Sequence, residues 1–229
     1  MRFKTARYYL CSLLCLLLAS VAHAEDKLPE VSHDGLHLVK DSELKALYMK
    51  PGASLAEYDK VALLACYVAF NKDWQRQYND EEMDLMSQVT DKDMEAIRTR
   101  LATEFNKDFT DVLTQAGYQM VDKGASGVLI VQPAIINLEV TAPDTMAPGE
   151  MNFAADAGQM TLYMQLYDGK TGDLIARVID PETVGGNFDI MQVRNSVTNT
   201  ADENRTIKRW ATILSEHLAK AGATPGAKN

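Results

Sequence analysis

The stretch QMTLYMQLYDGKTGDLIARVID, residues 159–180, decides the fold because it reads as a complete β-hairpin. Apolar and polar side chains alternate along its first half, so one face of that strand is apolar and the other is not. Asp168, Gly169 and Gly172 supply the chemistry of a tight turn. The apolar face carries Met160, Leu162, Met164 and Leu166, and the opposite face carries Thr161, Tyr163, Gln165 and Tyr167.

A second strand is expected upstream, where the chain is almost continuously apolar from Val61 to Phe70. A run of this length without polar alternation is typical of a central strand that is buried on both faces. The sequence then turns abruptly polar and aromatic. We therefore expect residues 71–80 to leave the sheet as a loop.

The remaining strands are expected in the second half of the chain. Residues 118–122 predict a short strand and residues 127–140 a longer one. Pro133 in the longer strand marks an edge, a bulge or a break, since proline donates no ladder hydrogen bond. Residues 141–158 predict a long loop, and residues 182–196 predict irregular structure.

Two amphipathic helices complete the expected fold. The first covers residues 90–117, with Thr90 and Asp93 at its start and Gly117 at its C-terminal cap. Its apolar stripe consists of Met94, Ile97, Leu101, Phe105, Phe109, Val112 and Ala116. The second helix is expected over residues 200–222, where Thr200 and Glu203 form a capping box. Its stripe consists of Ile207, Trp210, Ala211, Leu214 and Leu218.

This order of elements predicts an α/β fold of the α+β type. We expect a single two-layer sandwich, in which two main helices pack on a mixed, mostly antiparallel sheet. Because the strand at Val61 to Phe70 is expected to be buried on both faces, helices or loops should cover both sides of it. About 205 residues after the leader suffice for one domain with a proper core.

The first 24 residues have the pattern of a cleaved signal peptide. Arg2, Lys4 and Arg7 precede the apolar stretch 10–22, and small residues flank the expected cleavage site after Ala24. No later segment is long and apolar enough to span a membrane. The predicted organisation is a signal peptide at 1–24, a flexible N-terminus at 25–32, one domain at 33–222 and a flexible tail at 223–229.

A lipoprotein leader is the alternative, because Cys11 and Cys15 lie in the apolar stretch. Lipid attachment normally needs a small residue just before the cysteine, whereas Leu10 and Leu14 occupy these positions. The sequence therefore favours a protein released into the periplasm without a lipid anchor, with an outer-membrane lipoprotein as the alternative localisation.

Charge and cysteine content narrow the class of partner. The chain has a net charge of −9, which becomes −12 when cleavage removes three basic residues and no acidic ones. An acidic chain without basic clusters argues against nucleic acid and against anionic lipid headgroups. Cys66 is the single cysteine beyond the leader, and its apolar surroundings predict a buried, unreactive thiol rather than one that pairs with another chain.

Three stretches, DGLHLVK, YMKPGASLAEYDKVALLACYVAFNKDWQRQYN and LYDGKTGDLIARVID, resemble a bacterial envelope family in order and separation. That family is catalogued as domain of unknown function 3313. The resemblance runs from about residue 33 to 220. It implies an exported bacterial protein and, in many members, a lipid anchor, although this chain lacks the lipid-attachment motif. It implies no catalytic residue.

The sequence contains no recognisable catalytic or cofactor motif, so we assign no catalytic, cofactor or metal residues. His33, Asp34 and His37 could form a weak metal site, but a turn dipeptide separates the histidines. Solvated loop residues are the simpler interpretation of these three side chains.

The polar stretch 71–80 is the best candidate for an interaction surface. It contains Trp74, Arg76 and Tyr78, which are residue types that anchor protein interfaces. Alternatively, Trp74 folds back over the end of the sheet as a lid and the stretch is a structural exit.

Our leading hypothesis is a non-enzymatic accessory protein of the bacterial cell envelope that binds a protein of the same compartment. A periplasmic small-molecule or metal-binding protein is the alternative, and an unrecognised hydrolase is a third possibility. Stabilisation by a ligand would favour the second hypothesis, since binding to the native state raises its stability.

Overall fold

The computed structural model describes residues 28–83, 87–141, 143, 152–186 and 191–220. The helices in these residues are α1 (Trp74–Glu81), α2 (Asp91–Gln115) and α3 (Ser196–Lys220). The strands are β1 (His37–Leu38), β2 (Ala46–Met49), β3 (Lys60–Leu63), β4 (Tyr67–Phe70), β5 (Gln119–Met120), β6 (Val128–Val140), β7 (Asn152–Ala154), β8 (Gly158–Asp168), β9 (Leu174–Val184) and β10 (Gln192–Arg194). None of these helices is long and apolar enough to cross a membrane.

Eight strands form one mixed sheet in the order β1-β2-β9-β8-β6-β3-β5, and β4 also pairs with β6. The pairs that join β1, β2, β9, β8 and β6 are antiparallel. The pairs that involve β3, β4 and β5 are parallel. The predicted α+β sandwich with a mixed, mostly antiparallel sheet is therefore confirmed.

The hairpin predicted from residues 159–180 is present as β8 and β9. Its turn is closed by a hydrogen bond of 2.8 Å from Gly172 N to Asp168 O, and Gly172 has φ +75°. A residue with a side chain rarely adopts such a φ, which explains the glycine. The predicted faces are confirmed, because Met160, Leu162, Met164 and Leu166 are buried and their alternating neighbours are half-exposed.

The two long helices lie on the apolar face of the sheet. The predicted capping box of α2 is present, and Gly117 has the expected left-handed conformation, with φ +94°. The predicted stripe is buried at Leu101, Phe105 and Phe109. Near the end of the helix, Leu113 is buried instead of the predicted Val112 and Ala116. A helix has 3.6 residues per turn, so a stripe drifts away from fixed steps of three or four.

Helix α3 begins before the predicted capping box, and that prediction was wrong. Asn195 caps the helix, because its side-chain oxygen accepts hydrogen bonds of 3.0 Å from the backbone N–H groups of Val197 and Thr198. Thr200 and Glu203 lie inside the helix and contact Arg100 of α2. An asparagine satisfies the free N–H groups as well as a threonine does, so the helix starts where the first good cap occurs.

Helices α2 and α3 run side by side in the same direction. Polar side chains on the two helices pair at matching positions: Arg100 with Glu203 at 2.5 Å, Glu104 with Asn204 at 3.5 Å, and Asp108 near Lys208 at 3.6 Å. Because residue numbers rise together along both helices, the helices are parallel. The pairs hold the register between them.

The predicted central strand from Val61 to Phe70 was wrong as one element, since it is split into β3 and β4. Pro133 lies opposite the break: β3 pairs with β6 as far as Val131, and β4 pairs with it from Ala134. The Val131 carbonyl accepts from the β3 side at 2.9 Å, so the backbone nitrogen of Pro133 faces the same edge and donates nothing there. The break that Pro133 predicted therefore exists, but β6 itself is continuous and the interruption lies between β3 and β4.

Asn106 of α2 satisfies the backbone at this break. Its side-chain amide donates to Leu64 O at 3.0 Å and accepts from Cys66 N at 2.9 Å. The Cys66 side chain is buried, as predicted, and only 6% of the residue is exposed. Burial raises the pKa of its thiol to about 12, which keeps it protonated and unreactive at neutral pH.

Parts of the stretches predicted to be loop or irregular, 141–158 and 182–196, instead form the β7–β10 ribbon. Arg194 anchors this ribbon from a position that is only 2% exposed. It donates to Gly185 O at 2.8 Å and Ala155 O at 3.1 Å, and forms an ion pair with Asp202 of α3 at 2.5 Å. Sequence periodicity could not reveal a strand pair held mainly by one buried side chain.

Candidate binding face

Among the described residues, the helices lie on one side of the sheet, and part of its other side is left uncovered. Strand register places Tyr163 of β8 beside Ala134 of β6, and Tyr67 of β4 on the far side of Ala134. We call this area the open face, and its half-exposed or exposed side chains are Tyr67, Ile130, Gln132, Ala134, Ile136, Thr161, Tyr163, Gln165 and Tyr167. None of these is charged, although the chain contains 32 acidic and 23 basic residues.

The N-terminal segment 28–38 covers the part of this side that is formed by β2 and the start of β9. Tyr48 of β2 donates from its hydroxyl to Pro29 O at 3.0 Å, and Leu38 N donates to Glu30 O at 2.9 Å. The packed residues therefore include some that the sequence analysis assigned to a flexible terminus. A small apolar cluster lies beneath the segment: Leu36, Ala46 and Tyr48, with Leu38, Leu174 and Ile179 beside them.

An ion pair lies at the boundary between the open face and the part of the sheet covered by residues 28–38. Arg177 of β9 is only 8% exposed and pairs with Asp34, with 3.1 Å between Nη1 and Oδ1. Its guanidinium holds the pKa of Asp34 well below the usual range, mainly through this side-chain hydrogen bond. The same guanidinium lies 5.9 Å from the ring centre of Tyr163, within the range of a cation–π contact. The position of Tyr163 is thus supported from one side.

Tyrosine is the most prominent residue type on the open face. Tyr67 is 66% exposed, which is unusual for a large aromatic residue on a strand. Tyrosine combines a flat apolar ring with a hydroxyl and is enriched at protein interfaces, where charged residues are depleted. An uncharged surface with three tyrosines and two glutamines thus has the composition of a recognition surface.

A polar cleft continues the open face at one end. Asn137 has φ +51°, and the β6–β8 register shifts between Ile136 and Glu139, which marks a β-bulge. A non-glycine residue rarely adopts a positive φ, and such bulges occur often beside functional sites. We call this space the bulge cleft. Its volume is about 450 Å³, and its lining residues are Asn71, Asn137, Glu139, Gln159, Met160, Thr161, Pro181, Glu182 and Thr183.

The two glutamates at the cleft point to opposite sides of the sheet, and only Glu139 directs its carboxylate towards the cleft. Glu139 accepts a hydrogen bond of 2.6 Å from the side-chain amide of Asn71. Glu182 forms an ion pair with Arg209 of α3, although burial has the larger effect and raises the pKa of Glu182. Arg209 also lies 3.2 Å from Asp180, so this cation of the helix layer is shared by two carboxylates.

The predicted interaction residues do not form one exposed patch. Trp74 is 6% exposed and stacks on Phe70 with 4.6 Å between ring centres, as in the alternative in which it folds over the sheet. Arg76 is exposed and lies 3.1 Å from Asp73. Tyr78 is half-buried with its ring 5.8 Å from Trp74. A contact role for these three residues stays a prediction, and the structure places the stretch 74–81 in a helix instead of the expected loop.

Residues of the family-like motifs meet at the opposite end of the sheet, and their polar groups bind one another. Tyr58 donates to Asp168 at 3.0 Å, and Asp168 accepts two backbone N–H groups of its own turn. Burial and this carboxylate raise the pKa of Tyr58. Lys50 pairs with Asp173 at 2.8 Å. These contacts explain the motif as turn and loop structure.

The histidines that the structure describes do not belong to a metal-binding cluster. His37 lies on β1, whereas the Asp34 carboxylate is engaged by Arg177. His217 of α3 bonds to Ile213 O at 2.8 Å. In the described parts of the chain, no group of three or more histidine, cysteine, aspartate or glutamate side chains could hold a metal ion.

The sequence analysis missed the open face and the bulge cleft. The alternation in residues 159–167 did identify the polar face that carries Thr161, Tyr163, Gln165 and Tyr167. That pattern could not show whether a second layer of structure covers this face. The bulge at Asn137 leaves no trace in the apolar pattern either, because the signal that could have found it, an asparagine within a strand-like run, also fits a strand end.

The fold and the open face define a class: a two-layer α+β protein with helices on one side of its sheet. The chain belongs to the family described as "Protein of unknown function (DUF3313)", whose sequence model matches residues 31–214. The family suggested by the motifs is thereby confirmed. No curated protein matches the chain.

Two solved structures resemble the chain distantly. One is a PelC dodecamer from Paraburkholderia phytofirmans, with 10% sequence identity and a TM-score of 0.36, covering 73% of this chain and 96% of that chain. The other is a single-substitution variant of the same PelC, with 11% identity and a TM-score of 0.35, covering 74% of this chain and 95% of that chain.

Proposed function

We propose that this protein is an exported component of the bacterial cell envelope that acts without catalysis, by binding a protein partner of the same compartment. The observation that carries the proposal is the open face: an uncharged, tyrosine-bearing surface on an otherwise acidic protein. The leader pattern supports export to the periplasm, and the family-like motifs support a bacterial envelope protein.

The net negative charge of the protein makes the uncharged open face the surface where a partner is expected to bind. A strongly acidic molecule repels other acidic surfaces, and an uncharged area approaches such a surface at a lower electrostatic cost than an acidic area does. The depletion of charge and the enrichment of tyrosine match the centre of a protein interface. The ionisable side chains buried elsewhere are engaged with the fold, as Arg194 and Asp202 illustrate.

The test is affinity purification of the tagged protein from cross-linked cell envelopes, followed by mass spectrometry. Gln132→Glu adds one charge to the open face with almost no change of shape, and Tyr67→Asp adds one at its most exposed tyrosine. Gln115→Glu makes the same chemical change as the first variant at an exposed position at the end of α2.

A partner that is recovered with the wild-type protein and with Gln115→Glu, but depleted with both open-face variants, would support the proposal. Equal recovery with all four proteins, or recovery of no partner, would contradict it. Export is read from the same preparation: the mature N-terminus is expected to be Glu25, and an acylated Cys15 would place the protein among the lipoproteins.

A further inference from the structure

We propose that the bulge cleft binds an uncharged, polyhydroxylated ligand, namely a saccharide. This inference rests on the proposed function, since the cleft continues the open face and would give it a small-molecule subsite. The cleft volume of about 450 Å³ lies within the usual range for ligand sites in proteins.

The backbone of β6 departs from regular strand geometry at the cleft. Asn137 adopts its strained conformation at the point where β6 carries one extra residue relative to β8. Gln159 and Thr161 of β8 line the cleft beside this bulge. A regular ladder would be more stable here, and strain of this kind persists where function requires it.

Charge excludes one class of ligand. Glu139 lines the cleft with its carboxylate, whereas Glu182, two residues beyond Asp180 on β9, points towards the helix layer and pairs there with Arg209. An anionic ligand would therefore meet the Glu139 carboxylate and no cation among the described lining residues. Phosphates and carboxylates are excluded as ligands on this ground.

The neutral side chains of the cleft distinguish between the two remaining classes of ligand, cations and uncharged polyols. Asn137, Gln159, Thr161 and Thr183 all line the cleft, and among the described residues their side chains make no hydrogen bond. Amide and hydroxyl groups both donate and accept hydrogen bonds. A ligand ammonium group only donates, so it needs acceptors in the protein. A ligand hydroxyl both donates and accepts, so it needs acceptors and donors. The mixture therefore matches a polyol better than a cation.

The neighbouring tyrosine adds the second element of saccharide recognition. Tyr163 lies two residues beyond Thr161 on the same face of β8, which corresponds to about 6.8 Å along a strand. A sugar ring whose hydroxyls enter the cleft can thus lay its apolar C–H face near an aromatic ring. Glu139, fixed by Asn71, offers a charged acceptor for a ligand hydroxyl, and such hydrogen bonds are the stronger ones.

The experiment is a titration of the isotope-labelled mature protein, followed by amide chemical shifts. The probes are cellobiose and N,N′-diacetylchitobiose, with spermidine as a cationic and gluconate as an anionic comparator. Thr161→Val removes a hydroxyl from the cleft without changing its shape, and Glu139→Gln removes the charge. Thr99→Val is the control, since it replaces a threonine by valine at an exposed position of α2 outside the cleft.

We expect at least one disaccharide to shift amides near Asn137, Gln159 and Thr183. Thr161→Val should weaken its binding roughly three- to tenfold, the effect of one lost neutral hydrogen bond, and Glu139→Gln at least as much. Thr99→Val should bind as the wild-type protein does. No saccharide-dependent shifts at the cleft, tighter binding of spermidine or gluconate there, or binding unaffected by either cleft substitution would overturn the inference.

The two proposals fail in different ways. If no disaccharide binds but partner recovery still depends on Gln132, the cleft inference alone is wrong. If a disaccharide binds at the cleft while partner recovery is independent of Gln132, the proposed protein partner is wrong and the cleft stands by itself.

Discussion

Asp180 offers the sharpest test of how the helices are fixed to the sheet. It lies on β9, is 3% exposed and points towards the helix layer. Its carboxylate accepts hydrogen bonds of 2.7 Å from the indole N–H of Trp210 and 2.7 Å from the backbone N–H of Lys45. Arg209 lies 3.2 Å away and is 43% exposed, so it balances the charge without being buried itself.

Asp180→Ala should therefore be strongly destabilising. It removes the acceptor from two buried donors, and breaking a buried charged network costs about 3–5 kcal/mol. In urea unfolding followed by circular dichroism, a slope of roughly 2 kcal/mol/M converts this loss into a midpoint lower by about 1.5–2.5 M. This loss is at least a fifth of a typical domain stability of about 5–15 kcal/mol.

Two further variants make the reasoning refutable. Asp180→Asn keeps the shape and one acceptor, so its loss should be about half as large, near 1.5–2.5 kcal/mol. Asp173→Ala breaks an exposed ion pair with Lys50 at the turn of the same hairpin and should cost less than about 1 kcal/mol. If Asp180→Ala costs no more than Asp173→Ala, Asp180 does not anchor α3.

Three other substitutions test separate parts of the fold. Cys66→Ser should lower the unfolding free energy by about 1 kcal/mol without changing the bands on a non-reducing gel, and a dimer band that disappears in the variant would contradict the buried thiol. Trp74→Ala should cost about 3–5 kcal/mol by opening a cavity under Phe70, whereas Arg76→Ala should cost less than about 0.5 kcal/mol, and equal losses in thermal unfolding would show that Trp74 is not a lid. Burial raises the pKa of Asp108, so its folded form holds a proton that the unfolded form releases, and wild-type stability should fall as pH rises through that raised pKa. Asp108→Asn should reduce this fall in urea unfolding measured between about pH 4 and 7, and an unchanged pH dependence would assign it to another group, such as Glu182.

Local patterns predicted the elements whose stability is local. The hairpin and the capping box of α2 depend on residues that lie close together in the sequence, and both were predicted correctly. The split between β3 and β4 depends on Pro133, which lies more than sixty residues away in the chain. The ribbon depends on the burial of Arg194, an arginine that the pattern marks as a surface residue. Such tertiary contacts override local preference.

The candidate site was less predictable than the fold for a related reason. The residues of the open face come from β4, β6 and β8, and only the alternation within β8 could be recognised beforehand. An aromatic and polar strand face looks the same in sequence whether it meets solvent or another layer. Trp74 shows the converse, because an interface-type residue in a polar stretch proved to be buried.

The parallel alignment of α2 and α3 has an electrical consequence. Each helix has 25 residues and is about 37 Å long, and carries about half a positive charge at its N-terminus and half a negative charge at its C-terminus. In an antiparallel pair these charges cancel, whereas here they add. Asp91 and Asp93 offset the positive end of α2, but the first turn of α3 contains no acid. The helix layer is thus a permanent electric dipole, and an applied field should exert a torque on the whole molecule.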